Sequence, residues 1–136
     1  MNYLLDTCVI SELTAKLPNE RVISWIDHID DERLFLSVIT IGEIARGISR
    51  LPESKRKKSL DEWLRGELLI RFQNRILPLT TEVMLTWGKL LASRRTLPAV
   101  DSMIAATVLY HDLFLVTRNV KDFKGTDVKL VNPWES

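Results

Sequence analysis

Asn2-Tyr3-Leu4-Leu5-Asp6-Thr7-Cys8-Val9-Ile10-Ser11-Glu12-Leu13 is the stretch on which the fold turns. It opens with a short continuous apolar run, the pattern of a strand buried on both faces. The run ends on Asp6, and helical spacing follows near residues 9–14. A buried strand passing through an acid into a helix starts a β/α unit, and the rest of the chain repeats that alternation. Residues 34–38 read as a second strand, with a helix over 40–50 that carries Ile41, Ile44, Ala45 and Ile48 on one stripe. Residues 75–79 read as a third, whose Pro78 suits an edge position or a strand end. Phe114–Val116 and residues 128–131 complete five strands. Helices are predicted over Glu20–Asp27 and residues 55–72, from Thr80 to near Arg95, and from Pro98 to about His111. Strands alternating with helices specify an α/β fold, a central and mainly parallel five-stranded sheet covered on both faces in a three-layer α/β/α arrangement.

The totals narrow the function classes. At 136 residues, with 46% hydrophobic and 27% charged, the chain suits one globular domain. No apolar run approaches the roughly 20 residues of a membrane span, and no basic region precedes the first apolar run, so a cytoplasmic protein is expected. Cys8 is the only cysteine, which rules out an internal disulfide and a cysteine-rich zinc site. His28 and His111 lie far apart in sequence and do not suggest a histidine-dominated site.

The acids carry the chemistry. In a parallel sheet the strand C-termini and the helix N-termini meet on one edge, where ligands usually bind. Asp6 ends a strand, Glu43 is expected in a helix first turn, and Asp101 lies in the first turn of a largely apolar helix. Thr117-Arg118-Asn119, with Asp122 beyond, follows another strand. Each acid alone has a plain structural reading. Thr40-x-x-Glu43 has the form of a capping box, Asp6 can cap a helix, and Asp101 complements a helix dipole. Together they put three acids on one edge inside apolar sequence. Buried carboxylates need a partner, and a hard divalent ion such as Mg²⁺ or Mn²⁺ supplies one. Such ions activate water against a phosphodiester, so no protein nucleophile is required.

Competing motifs fail on single residues. Gly42 to Ser49 has P-loop glycine spacing, but Ile48 stands where the lysine belongs. No nucleophile elbow is present. An aspartyl-phosphate phosphatase needs an acid where Cys8 stands, and a receiver-like domain needs an aspartate where Leu79-Thr80 stand. Thr7, Ser11, Thr117 and Asn119 either cap turns or fix metal-bound water and phosphate. The net charge is only +1, yet Arg46, Arg50, Lys55, Arg56, Lys57 and Lys58 crowd one segment and Arg94-Arg95 precede the Asp101 helix. Beside an acidic cluster such cations can hold a phosphate backbone; alone they are solvated helix surface.

Four stretches carry a resemblance, in order and over essentially the whole chain. Leu4 to Leu13 resembles the opening of the PIN domain, especially the toxin ribonucleases of VapC and FitB type. Ser37-Val38-Ile39-Thr40-Ile41-Gly42-Glu43-Ile44 is similar to the second motif, Asp101-Ser102-Met103-Ile104-Ala105-Ala106-Thr107 to the third, and Leu115-Val116-Thr117-Arg118-Asn119 with Asp122-Phe123 to the fourth. The resemblance implies a single PIN-like domain over residues 1–136 and a Mg²⁺- or Mn²⁺-dependent endoribonuclease, the toxin of a type II toxin–antitoxin system. It maps Asp6, Glu43 and Asp101 onto metal-binding acids, with Asn119 or Asp122 completing the catalytic set. Thr7 and Thr117 would position phosphate or water, and Arg46 and Arg50 would contact RNA. It further implies a cognate antitoxin, a homodimer, and a larger complex on DNA through the antitoxin, with no membrane. Asn119 stands where many relatives carry aspartate, which keeps open an alternative: a catalytically impaired module that binds RNA or protein.

Overall fold

A computed structural model describes residues 1–93 and 96–135, so Arg94-Arg95 and the expected helix end near Arg95 lie outside the described residues. Among the described residues five strands form one sheet in the order β3-β2-β1-β4-β5. They are β1 (Tyr3–Leu5), β2 (Leu34–Ser37), β3 (Ile76–Leu77), β4 (Phe114–Val116) and β5 (Lys129–Val131). Every pairing is parallel, with Leu4 opposite both Phe35 and Leu115. The chain builds outward from β1 to β3, then returns to lay β4 on the other side of β1. That reversal is a topological switch point, the place where an open α/β sheet leaves a crevice beyond its strand C-termini.

Strand side chains alternate between faces, and the core divides accordingly. Tyr3, Leu5, Leu34, Leu36 and Val116 point to one face. There they pack on Val9 and Ile10 of α1 (Thr7–Glu12), Val22 and Ile26 of α2 (Glu20–Asp27) and Ile48 of α3 (Val38–Ser49). Leu64, Leu68 and Phe72 close that side. Leu4 and Leu115 point to the other face, against Ile104, Ala105 and Val108 of α7 (Ala99–His111), with Leu90 of α6 (Thr81–Ala92) alongside. Because helices cover both of its faces, β1 is buried throughout, which is why it reads as an unbroken apolar run.

Three elements differ from the sequence reading. The first helix begins at Thr7 rather than near Val9, because the Asp6 carboxylate accepts from Thr7 N–H and caps it. Residues 55–71 are helical throughout, but α4 (Lys55–Trp63) passes through a π-helical turn over Leu64–Leu68 before the single turn α5 (Leu69–Arg71). The third is α3, which starts at Val38 with Ser37 as its cap, the Ser37 hydroxyl accepting from Ile39 N–H. Thr40 is therefore inside the helix and fully buried, and Glu43 sits in the second turn. The capping-box reading of Thr40 and Glu43 is corrected: Ser37 is the last strand residue, extended and next to the turn, so its hydroxyl reaches the free N–H first. β3 lies at the sheet edge, as Pro78 suggests. No helix among the described residues is long and apolar enough to cross a membrane.

Candidate metal and phosphodiester site

Asp6 leaves β1 at the centre of the C-terminal edge, its backbone N–H bonded to Val116 O on neighbouring β4 at 3.0 Å. Its carboxylate is held twice. Oδ1 accepts from Thr7 N–H at 2.9 Å, and Oδ2 accepts from the Thr117 hydroxyl at 2.8 Å. Thr117 follows β4, is completely buried, and also accepts from Asn119 N–H at 3.1 Å. With its one proton given to Asp6, the Thr117 hydroxyl orients a carboxylate, whereas its place in the sequence suggests phosphate or water.

Glu43 reaches the same edge from α3. The Thr7 hydroxyl, at the first position of α1, donates to Glu43 Oε1 at 2.5 Å. The backbone N–H of Thr7 thus serves Asp6 and its side chain serves Glu43. Asp101 comes from the first turn of α7, as the sequence indicates. The two buried hydroxyls of that helix are satisfied: Ser102 Oγ accepts from Trp87 Nε1 of α6 at 2.8 Å and donates to Ala99 O, and Thr107 donates to Met103 O. Asp101 has no such partner among the described residues. Its carboxyl is pushed above the usual carboxylate range, first by loss of hydration and then by the charges of Asp6, Asp122 and Glu43. A single side chain therefore registers the other three acids.

Asp122 belongs to a short 3₁₀ turn over Val120–Phe123 that opens at Asn119. Asp122 is exposed but near enough for its charge to raise Asp101. Asn119 is exposed and carries no charge, and its side chain makes no hydrogen bond among the described residues. Cys8 Sγ lies 3.7 Å from Thr117 Oγ1 and 4.0 Å from Asp6 Oδ2. Burial, reinforced by the Asp6 charge, pushes its thiol up, so it stays protonated and is no nucleophile at neutral pH.

The donor chemistry fits a hard divalent ion: four carboxylates, none of them in a salt bridge among the described residues, and one strained by the other three. As the side chains stand, no three His, Cys, Asp or Glu groups among the described residues converge tightly enough to grip one ion, so closing such a site requires carboxylate rotation. A groove of about 590 Å³ between α2 and the C-terminal segment, lined by Trp25, Val131 and Pro133, holds none of these acids.

Arg46 and Arg50 are exposed at the end of α3, and neither forms a salt bridge among the described residues. The basic run beyond them is partly spoken for. Arg56 donates to Thr14 O at 2.9 Å, and Lys57 pairs with Glu53 at 2.8 Å. Sequence reasoning missed both hydroxyl-to-carboxylate bonds, which join residues 36 and 111 positions apart. The one local hint is that Thr7 directly follows Asp6.

Known proteins share this layout. The chain is 38% identical over 135 residues to "Toxin FitB" of Neisseria gonorrhoeae, a span of 96% of this chain and 97% of that protein. It is 35% identical over 136 residues to "VapC ribonuclease Y4jK" of Sinorhizobium fredii, covering 97% of each. The structure of FitAB bound to an IR36 DNA fragment superposes with a TM-score of 0.93 at 36% identity, over 98% of this chain and 96% of that one. The family model for the PIN domain matches residues 3–129, and this chain is a member of the PIN domain family.

Proposed function

We propose that this protein is a Mg²⁺- or Mn²⁺-dependent endoribonuclease, the toxin of a type II toxin–antitoxin pair. The observation that carries the reading is Asp101, raised by loss of hydration and then by the charges of Asp6, Asp122 and Glu43, and given no cation by the described residues. Structural ion pairing does not explain that arrangement; a binding site for a divalent cation does. Asp6, Glu43 and Asp101 would hold the ion, and Asp122, whose charge reaches the cluster, is better placed than neutral Asn119 to complete the set. A divalent ion there supplies positive charge that lowers the pKa of an attacking water and neutralises the phosphate. The protein contributes orientation: Thr117 fixes Asp6, Asp6 caps α1, and the half-buried, protonated thiol of Cys8 stays out of the chemistry. Exposed Arg46 and Arg50 are available to the RNA backbone.

Relatives named as a toxin and as a ribonuclease, and a related structure that pairs FitB with FitA on DNA, support a partner of the same kind here. That partner is a cognate antitoxin, with the toxin acting as a homodimer in the cytoplasm and reaching DNA only through the antitoxin. The test is RNA cleavage by the purified chain in Mg²⁺ or Mn²⁺ and in excess EDTA, read beside a thermal shift. An ion at 100 times its Kd should add about 2.7 kcal/mol of stability. Equal cleavage in EDTA would sink the metal-dependent reading. One observation favours a second reading, a module that binds RNA or protein without cutting: Asn119, exposed and unengaged at the opening of the last site loop. Metal binding without cleavage of any RNA tried would support it.

A further inference from the structure

Thr7 makes two contacts, one a local helix cap and one that only the tertiary fold brings about. Its backbone N–H holds Asp6 Oδ1 at 2.9 Å, and its hydroxyl holds Glu43 Oε1 at 2.5 Å, tying the first turn of α1 to the second turn of α3. Resting on the metal reading above, we infer that Thr7 is a positioning residue that sets Glu43 against Asp6, acting on the carboxylate and not on phosphate.

A hydroxyl carries one proton. The glutamate oxygen, closer and ionisable, takes it in preference to Thr40 Oγ1, which lies 3.4 Å from Thr7 Oγ1 as the longer acceptor for the same proton. Thr40 is fully buried, so the Thr7 hydroxyl sits between a fixed core side chain and Glu43. A glutamate on a helix surface otherwise samples many rotamers. With Oε1 tied down, Oε2, which takes no hydrogen bond from the described residues, is the oxygen left free for an ion. Asp6 is treated the same way from the other flank by Thr117, so two of the three acids whose charges reach Asp101 are oriented by threonine hydroxyls.

The experiment measures Mn²⁺ binding to the full chain by calorimetry, without RNA. Thr7→Val keeps the branched shape and removes only the hydroxyl. It should weaken Mn²⁺ by roughly 10- to 100-fold, the usual range for loss of a group that orients a metal ligand. Thr7→Ser should restore most of the affinity, and Thr7→Ala provides a second hydroxyl-free variant should Val disturb folding. In a Glu43→Gln background, Thr7→Val should add almost nothing, because the effect runs through Glu43. Native affinity in Thr7→Val or Thr7→Ala, a Ser variant as weak as Val, or additive losses in the double variant would each overturn the inference. Those results leave the metal reading intact. A native chain that binds no Mn²⁺ overturns both.

Discussion

Thr117→Val probes how strongly the fold organises its acidic edge. The native hydroxyl is completely buried, donates to Asp6 Oδ2 at 2.8 Å and accepts from Asn119 N–H at 3.1 Å. Valine fills the same space, and the Thr117 backbone bond to Val131 O at 3.0 Å does not involve the side chain. The variant therefore gives up hydrogen bonds without opening a cavity. A hydrogen bond to a charged group contributes about 1.5–3 kcal/mol. Part of that is recovered here, because half-buried Asp6 and exposed Asn119 can turn to water. A net loss of about 1–2 kcal/mol remains. For a chain of 136 residues this corresponds to a fall in Tm of roughly 3–8 °C. Melting followed by circular dichroism in EDTA reads it directly, and urea titration should move the midpoint at constant slope. Thr117→Ser should melt close to the native temperature. If Val melts with the native chain, or Ser falls as far as Val, the hydroxyl is not what holds Asp6 and the orientation argument fails.

Asp101→Asn should melt at or above the native chain in EDTA at pH 7 while losing RNA cleavage. Asp101 keeps its proton to a higher pH folded than unfolded, so its ionisation removes stability as pH rises from the ordinary carboxylate range through its raised value. The Asn variant should lack that decline in a series of melts against pH, and an identical decline in both would contradict the electrostatic account. Arg46→Ala with Arg50→Ala should flatten the salt dependence of single-stranded RNA binding by up to about 0.7 for each phosphate no longer neutralised; an unchanged slope would return both to ordinary surface. Asn119→Asp should tighten Mn²⁺ binding if the fourth position ligates the ion, and calorimetry showing no change would leave Asp122 in that place.

The strand order was not legible in the chain, while the strands themselves were plain. Tyr3-Leu4-Leu5 is apolar at every position because helices cover both faces of the central strand, so burial writes itself into consecutive residues. Asp6 and Asp101 were visible for the converse reason: each interrupts apolar sequence at a strand end or helix start, and a parallel sheet delivers such points to one edge. Local signals were less able to choose between neighbours. Ser37 and Thr40 are both hydroxyls ahead of an apolar helix, and Ser37 caps it because β2 stays paired through Ser37, opposite Leu77. The π-helical turn at Leu64–Leu68 also escaped, since the spacing of apolar residues does not specify which carbonyl each N–H selects. The hydroxyl-to-carboxylate bonds, Thr7 to Glu43 and Thr117 to Asp6, exist only once distant segments meet. Composition and period thus decided that the acids share an edge. Tertiary structure decided which oxygen each one leaves free, because that depends on hydrogen-bond donors supplied from elsewhere in the chain.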